Sequence, residues 1–309
     1  MLDTGDSSPT SAVAEPAAAV AGPWSRFRAD FVESRLAVIG LALLVLILLI
    51  GILAPVISPQ NPYDLAQLDV MDSKLAPGEK SADGKTYWLG TDDQGRDMLS
   101  GIFYGLRISL GVGIASTVFA LAIGLVFGLV AAYFGGWVDT LVMRVVDIQL
   151  SFPAILIALI LLAVLGQGVD KIVVALVTVQ WAYYARTVRS SALVERQKEY
   201  IEAAHVLALG QARIVFRHLL PNCLPPLIVV ATVQVAHAIA LEATLSFLGL
   251  GLPITEPSLG LLISNGFQYL LSGKYWISFY PGLALLLTIM AINLVADQLR
   301  DILNPRLRK

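Results

Sequence analysis

Three polar side chains stand within one strongly apolar stretch of the sequence, residues 225–250. They are Gln234, His237 and Glu242. At 100° per residue they fall within an arc of roughly 140°, so on a helix they could face a common cavity. An amide, an imidazole and a carboxyl group can bind a polar solute, and such groups are costly enough inside a membrane span to suggest a function. Two interpretations remain open: these residues line a substrate path, or they form hydrogen bonds between helices.

A second segment, residues 199–222, has a helical pattern but is too polar to cross a membrane. Its apolar positions recur near helical spacing, and its charged positions occupy the other face. Gly210 is predicted to break or cap the first helix, and Pro221 with the Pro225-Pro226 pair ends the second. The pattern indicates a helix, a bend and a short helix. On periodicity alone, this segment either joins two membrane spans or docks another protein.

Motifs for catalysis and metal binding are absent from the sequence. Residues 272–275 read SGKY and Gln268 stands where the first glycine of a phosphate-binding loop would be, so we do not expect the chain to bind ATP in that way. There is no HExxH, the three histidines are far apart, and Cys223 is the single cysteine. We therefore expect no catalytic residues, no metal and no cofactor in this chain, and we reject a membrane hydrolase.

The composition places these residues in a polytopic membrane protein. Hydrophobic residues make up 57% and charged residues 14% of the 309, with a mean hydropathy of +0.74. That is far too apolar for a soluble domain. The predicted fold class is all-α with six transmembrane helices, where about 20 residues cross a bilayer core. The predicted spans are 36–57, 108–132, 141–165, a fourth beginning with 172–185, then 225–250 and 279–299.

The distribution of Lys and Arg predicts the topology. With the amino terminus inside, the inner segments carry fourteen of these residues and the outer segments seven, and such an excess marks the cytoplasmic side. Both termini are therefore expected in the cytoplasm. Residues 1–27 are predicted to be a disordered cytoplasmic tail. Residues 28–107 form the first span and an extracytoplasmic loop, and residues 108–309 form a five-helix core with a cytoplasmic loop at 186–222.

One charged pair is predicted inside the third span. Arg144 and Asp147 lie three residues apart near its start, so they can share a helix face and pair there.

Segment 199–222 resembles the EAA loop of the membrane subunits of ABC importers. One position departs from the family pattern: where a glycine usually follows the glutamate by six residues, this chain has Ala208, so we expect the bend to be displaced toward Gly210. The residues that carry the resemblance are Glu202, Ala203 and Ala204, then Ile214, Leu220 and Pro221.

The run WLGTDDQGRD, residues 88–97, is similar to a signature of the dipeptide, oligopeptide and nickel branch of these importers. From its residues alone, the run is a tight turn at Gly90 and Gly95, with acidic side chains that cap a following helix. The family resemblance extends from about residue 28 to the end of the chain.

The resemblance implies the type I ABC importer permease architecture and a permease subunit that translocates dipeptides or oligopeptides across the bacterial cytoplasmic (inner) membrane. It implies a heterodimer with a second, related permease and two separate ATPase subunits that bind ATP and magnesium. It also implies an extracytoplasmic substrate-binding protein, surrounding membrane lipid and no nucleic acid. The residues it assigns to ATPase coupling are Tyr200, Glu202, Ala203, Ala204, Leu207, Ala208, Gly210, Ile214, Leu220 and Pro221.

Within this loop, the resemblance implies that Glu202 caps or forms an ion pair in the ATPase cleft. Ala203 and Ala204 would permit close approach, and Gly210 would free the bend.

Two alternatives stay open. The same machinery could carry nickel, glutathione or haem. A secondary transporter or channel driven by an ion gradient would need a buried carboxylate or broken helices repeated in two halves. Glu242 is its only strong candidate, and the sequence shows no inverted repeat.

Overall fold

The computed structural model of this protein describes residues 22–64 and 67–303, apart from the side chains of residues 23, 24 and 26. Within these ranges the fold is helical and contains no strand. The helices are α1 (Pro23–Glu33), α2 (Arg35–Ile57), α3 (Met98–Phe134), α4 (Gly136–Ser151), α5 (Ala154–Leu165), α6 (Val169–Glu195), α7 (Glu199–Val206), α8 (Gln211–Arg213), α9 (Leu220–Phe247), α10 (Leu259–Phe267) and α11 (Trp276–Leu303). A π turn, Ile214–Leu219, joins α8 to α9.

The predicted amino-terminal tail lies mostly outside the described residues, which begin at residue 22. Its last part is helical rather than disordered, because α1 starts at Pro23. Proline favours the first position of a helix, where its missing N–H group costs no hydrogen bond.

Among the described residues, four helical stretches are long and apolar enough to cross a membrane: α2, α3, residues 211–247 and α11. A fifth crossing results if α4 and α5 form one bent span. The predicted fourth span lies within α6, which carries Asp170 and Lys171 at one end and Arg186 and Arg189 toward the other and is not among these stretches. The fold class is confirmed as helical and polytopic, whereas the count of six spans stays a prediction.

The third predicted span is not a continuous helix. α4 ends at Ser151, α5 begins at Ala154, and the two helices are bent by 89°. The physical reason is Pro153, because a proline disfavours helical geometry in the residue before it. Phe152 accordingly has the extended angles φ −98° and ψ 144°.

The proline pair of the fifth span has the opposite outcome. Pro225 and Pro226 were expected to end the preceding helix, but α9 runs through both. Prolines are tolerated in membrane helices where neighbouring helices and local π adjustments satisfy the freed backbone groups, and the π turn Ile214–Leu219 lies directly before α9.

Close packing of α3 on α6 forms the centre of the bundle. A Cβ atom on Gly124 would lie 2.4 Å from Cβ of Tyr184, and one on Gly128 would lie 2.6 Å from the carbonyl oxygen of Ala185. Small residues let membrane helices approach closely, so this spacing of two glycines marks a real helix interface. α2 packs against α3 and α11 on one side of this core, and α9 packs against α3, α6 and α11.

Candidate functional site

The segment between α6 and α9 contains the bend that the sequence predicts, but at a different residue. α7 ends at Val206, and Ala208 has a φ of +51°, in the left-handed region. The Leu209 N–H donates to the carbonyl of Ala204 (3.1 Å), and the Ala208 N–H donates to that of His205 (2.9 Å). This pair of hydrogen bonds is a Schellman motif, in which the left-handed residue is usually glycine. The bend therefore lies at Ala208.

Gly210 does not form the bend. It precedes α8 with φ −59° and ψ 142°, angles that any residue adopts. A Cβ atom added to it would meet no atom within 4 Å. The expectation that Gly210 frees the bend is wrong, because the helix-ending hydrogen bonds fix the left-handed residue two positions earlier.

A small apolar core holds this segment together. Ile201 and Ala204 of α7 pack with Ile214 of the π turn and are 1%, 4% and 1% exposed. Leu209 packs against the same cluster. Ala204 and Ile214 therefore stabilise the segment from inside. On α7, Ala204 faces this core, whereas Ala203 is exposed.

The outward face of α7 presents four residues, which we call the α7 surface: Glu202, Ala203, Val206 and Leu207. All four are exposed, and the side chains of Val206 and Leu207 are 86% and 72% accessible. Val206 is not among the residues that the sequence singled out. In the sequence, Val206 appears only as one apolar residue at the polar end of a short helix. Single exposed apolar residues are common on protein surfaces, so this pattern did not mark Val206 as functional.

Tyr200 connects α7 to both neighbouring helices. Its hydroxyl donates to Oε2 of Glu195 at the end of α6 (2.6 Å) and accepts from Nδ2 of Asn222 at the start of α9 (3.1 Å). Desolvation and the hydrogen bond to Glu195 raise the pKa of Tyr200 to about 12, so the hydroxyl stays a donor at neutral pH. The start of α9 also contains Leu220, which packs against the α3–α6 core, and the exposed Pro221.

The structure separates the three polar residues of α9. Glu242 is fully buried and accepts hydrogen bonds from the hydroxyls of Ser109 on α3 and Ser246 on α9, each at 2.8 Å. The backbone carbonyl of Gln234 accepts from Nε2 of Gln180 on α6 (3.4 Å). His237 is exposed. The Glu242 side chain thus joins α9 to α3, whereas the Gln234 contact involves only its backbone carbonyl, and a role in a substrate path stays a prediction.

Two ion pairs fasten α4 to α6. Arg189 pairs with Asp139, and Arg186 pairs with Asp147. The predicted partner of Asp147 was Arg144, on the same helix. The structure instead places Asp147 against the neighbouring helix, where α6 supplies the positive charge.

The run at residues 88–97 forms a turn, as predicted, and most of it is buried although Trp88 is exposed. Gly90 and Gly95 have φ values of +79° and +77°, and a Cβ atom on Gly95 would lie 2.0 Å from the carbonyl oxygen of Asp69. Asp97 caps α3, since its carboxylate accepts from the Ser100 N–H (2.9 Å).

The same run fastens the segment between α2 and α3 to residues in the last third of the chain. Arg96 forms a buried ion pair with Asp92 (2.7 Å) and donates to the carbonyl of Ile254 (3.1 Å). Nε1 of Trp276 donates to the carbonyl of Thr91 (3.2 Å). These contacts tie residues 91–96 to the segment after α9 and to the first residue of α11.

Comparison with protein families gives two matches. Residues 124–309 match the model described as the binding-protein-dependent transport system inner membrane component. Residues 22–77 match the N-terminal transmembrane domain of oligopeptide transport permease C.

Curated relatives cover nearly the whole chain. This chain is 35% identical over 286 residues to the dipeptide transport system permease protein DppC of Alkalihalophilus pseudofirmus. That alignment covers 93% of this chain and 91% of the relative. This chain is also 35% identical over 306 residues to the oligopeptide transport system permease protein OppC of Bacillus subtilis, in an alignment that covers 96% of this chain and 97% of the relative. A putative peptide transport system permease protein of Brucella suis is 39% identical over 270 residues, covering 87% and 88%.

Among solved structures, the MetNI methionine ABC transporter in inward-facing conformations matches with a TM-score of 0.54. The match has 24% sequence identity and covers 66% of this chain and 97% of that chain. It supports the fold.

Proposed function

The chain belongs to the family of binding-protein-dependent transport system inner membrane components, and we propose that it is a permease subunit that carries dipeptides or oligopeptides. In this proposal the transporter is an ATP-driven ABC importer of the cytoplasmic membrane. The names of the relatives support a peptide substrate. Nickel, glutathione and haem are the alternative solutes for the same machinery.

The observation that carries the proposal is the preformed segment between α6 and α9. Its apolar core of Ile201, Ala204 and Ile214 gives α7 a fixed shape, and the α7 surface exposes two large apolar side chains, Val206 and Leu207. Exposed apolar groups beside a charged residue are typical of a protein interface. Because the sequence contains no phosphate-binding loop, we assign ATP and magnesium to separate ATPase subunits that dock here.

The connections of α7 suggest how motion passes into the membrane. The Tyr200 hydroxyl donates a hydrogen bond to Glu195 of α6 and accepts one from Asn222 of α9. Displacement of α7 by a docked ATPase therefore pulls on both helices at once. α6 packs closely on α3, so the movement reaches the centre of the bundle and rocks the helices between inward-facing and outward-facing arrangements.

The remaining partners follow from the family. We propose a second, related permease as the other half of a heterodimer, and a binding protein that delivers peptide to the outer loops. The excess of Lys and Arg in the inner segments supports an orientation with both termini and α7 in the cytoplasm.

The test uses the complex assembled from this chain and its co-expressed partner subunits. Leu207→Asp places a charge on the α7 surface. Leu271→Asp is the control, since Leu271 is likewise an exposed leucine (102% against 72% for Leu207) but lies in a short turn between α10 and α11. We expect the first variant to lose co-purifying ATPase and uptake of labelled dipeptide, and the second to retain the ATPase. A stable particle in which Leu207→Asp keeps both would overturn the proposal. Uptake of nickel but not dipeptide would retain the ABC importer assignment and change the substrate.

A further inference from the structure

A cleft of about 400 Å³ lies beside α1, where that helix meets α2 and α11. Its walls are apolar and include Phe31 and Val32 of α1, Leu41 of α2 and Leu299 of α11. Arg28 of α1 also lines the cleft and is exposed. An arginine side chain therefore borders a cleft whose surface is apolar.

The two faces of α1 differ in charge. At 100° per residue, Val32 lies about 40° from Arg28 on the cleft side, whereas Asp30 and Glu33 lie about 160° and about 140° from Arg28. The carbonyl of Asp30 accepts a hydrogen bond from Nε2 of Gln298 on α11 (2.9 Å), which holds the helix in this rotation. The cleft face of α1 is thus apolar and positive, and its acidic residues point elsewhere.

The position of the cleft along α2 fits the depth of a membrane interface. The chain leaves helical geometry at Ser34 (φ −84°, ψ 105°), and α2 begins at Arg35. Leu41 is six residues further along, about 9 Å at 1.5 Å per residue. A short amphipathic helix before a span commonly lies in the headgroup region with its apolar face in the acyl chains. Val32 and Leu36, 65% and 64% exposed, stand at that boundary.

We propose that this cleft binds a phospholipid of the adjacent leaflet, with one acyl chain against Phe31, Val32 and Leu41 and the phosphate on Arg28. Arginine donates charge-assisted hydrogen bonds to phosphate oxygens, and an apolar cleft at this depth is filled by lipid chains rather than by water. Under the topology proposed above, this leaflet is the cytoplasmic one. The lipid fills the space between α1 and the inner ends of α2 and α11.

Residues 1–21 of the same chain fit the cleft less well. They contain no aromatic residue, and apart from Met1, Leu2, Val13 and Val20 their apolar residues are alanines and prolines. Such a segment cannot fill apolar walls as an acyl chain does.

The first experiment measures lipid binding to the purified full-length chain by native mass spectrometry, with dioleoyl phosphatidylglycerol and dioleoyl phosphatidylcholine as probes. We expect the anionic lipid to bind about fivefold more tightly, the effect of one basic group near the membrane surface. Arg28→Gln removes this preference, and Val32→Trp fills the cleft and weakens binding of both lipids. Glu33→Gln, on the opposite side of α1, is the control and leaves both affinities unchanged.

Three results would overturn the proposal. One is an unchanged preference in Arg28→Gln, a surface variant that leaves the apolar core intact. Another is a marked gain of lipid binding when residues 1–21 are deleted, which would identify that segment as the occupant. The third uses a photo-crosslinking residue at Leu41 in membranes: a lipid adduct supports the proposal, and an adduct with a second polypeptide contradicts it.

Discussion

Replacing Ala208 with glycine tests the bend at the end of α7. Ala208 has a φ of +51°, a conformation that costs an L-residue about 1–2 kcal/mol. Glycine avoids this cost but loses about 0.4–1 kcal/mol through the greater freedom of the unfolded chain. The net effect of Ala208→Gly is therefore a stabilisation of the folded bend by about 0.5–1 kcal/mol.

The change acts on local opening of the segment. The bend brings Leu209 onto the core of Ile201, Ala204 and Ile214, so α7 separates from the π turn when the bend opens. Since 1.4 kcal/mol is a factor of ten in an equilibrium constant, the open population falls about two- to fivefold. Amide hydrogen exchange measured by mass spectrometry on peptides from residues 199–214 reports this as slower exchange by the same factor.

The matched control is Gly210→Ala. Because Gly210 has φ −59° and an added Cβ atom meets nothing within 4 Å, we expect exchange that is unchanged or slightly slower. Peptides from α3 serve as an internal reference. Faster exchange in Gly210→Ala, together with no slowing in Ala208→Gly, would place the bend at Gly210 and refute the reasoning.

Two further substitutions follow from the same structure. Tyr200→Phe removes the hydroxyl that bridges Glu195 and Asn222, and since Tyr200 is partly exposed we expect the local stability of α7 to fall by about 1 kcal/mol. This is measured as faster amide exchange in α7 and as weaker stimulation of ATPase activity by peptide in the assembled transporter. Unchanged stimulation would show that the bridge does not transmit motion. Gly124→Ala puts a Cβ atom 2.4 Å from that of Tyr184 and should lower the free energy of unfolding by about 1–3 kcal/mol. Gly111→Ala is the control, since a Cβ atom there meets no atom within 4 Å and should change the free energy of unfolding little. Equal effects of the two substitutions on thermal unfolding would contradict close packing of α3 on α6.

Much of the membrane fold could be predicted from the sequence because long apolar runs determine where helices cross a bilayer. The break between α4 and α5 was missed although its signal was present. Residues 151–153 read Ser-Phe-Pro inside an apolar run, and hydrophobicity alone joins the two halves. The effect of Pro153 on Phe152 is local, so the break could have been predicted from the sequence. By contrast, no local pattern shows that α9 continues through Pro225 and Pro226.

The sequence predicted a helix, a bend and a short helix over residues 199–222, whereas the details of this segment depend on packing. Position 208 was set aside because it lacks glycine, and the structure nevertheless places it in the left-handed conformation. Ala203 and Ala204 look alike in sequence, and only the position of Ile214 decides which of them is buried. Ser246, four residues after Glu242, is a partner that helical spacing could have indicated, whereas the other partner, Ser109, lies 133 residues away and no spacing rule could have found it.

α3 is a single helix of 37 residues, about 55 Å long at 1.5 Å per residue, and so exceeds the roughly 30 Å hydrocarbon core. Its capped end at Asp97 holds the turn at residues 88–97, while its length packs against α6, which leads into α7. Under the proposed function, a partner that docks at this turn and favours one position of α3 is linked thermodynamically to an ATPase at α7. The factor by which the first partner changes affinity at α7 then equals the factor by which the ATPase changes affinity at the turn. Measuring either binding constant with and without the other partner thus gives the same coupling energy.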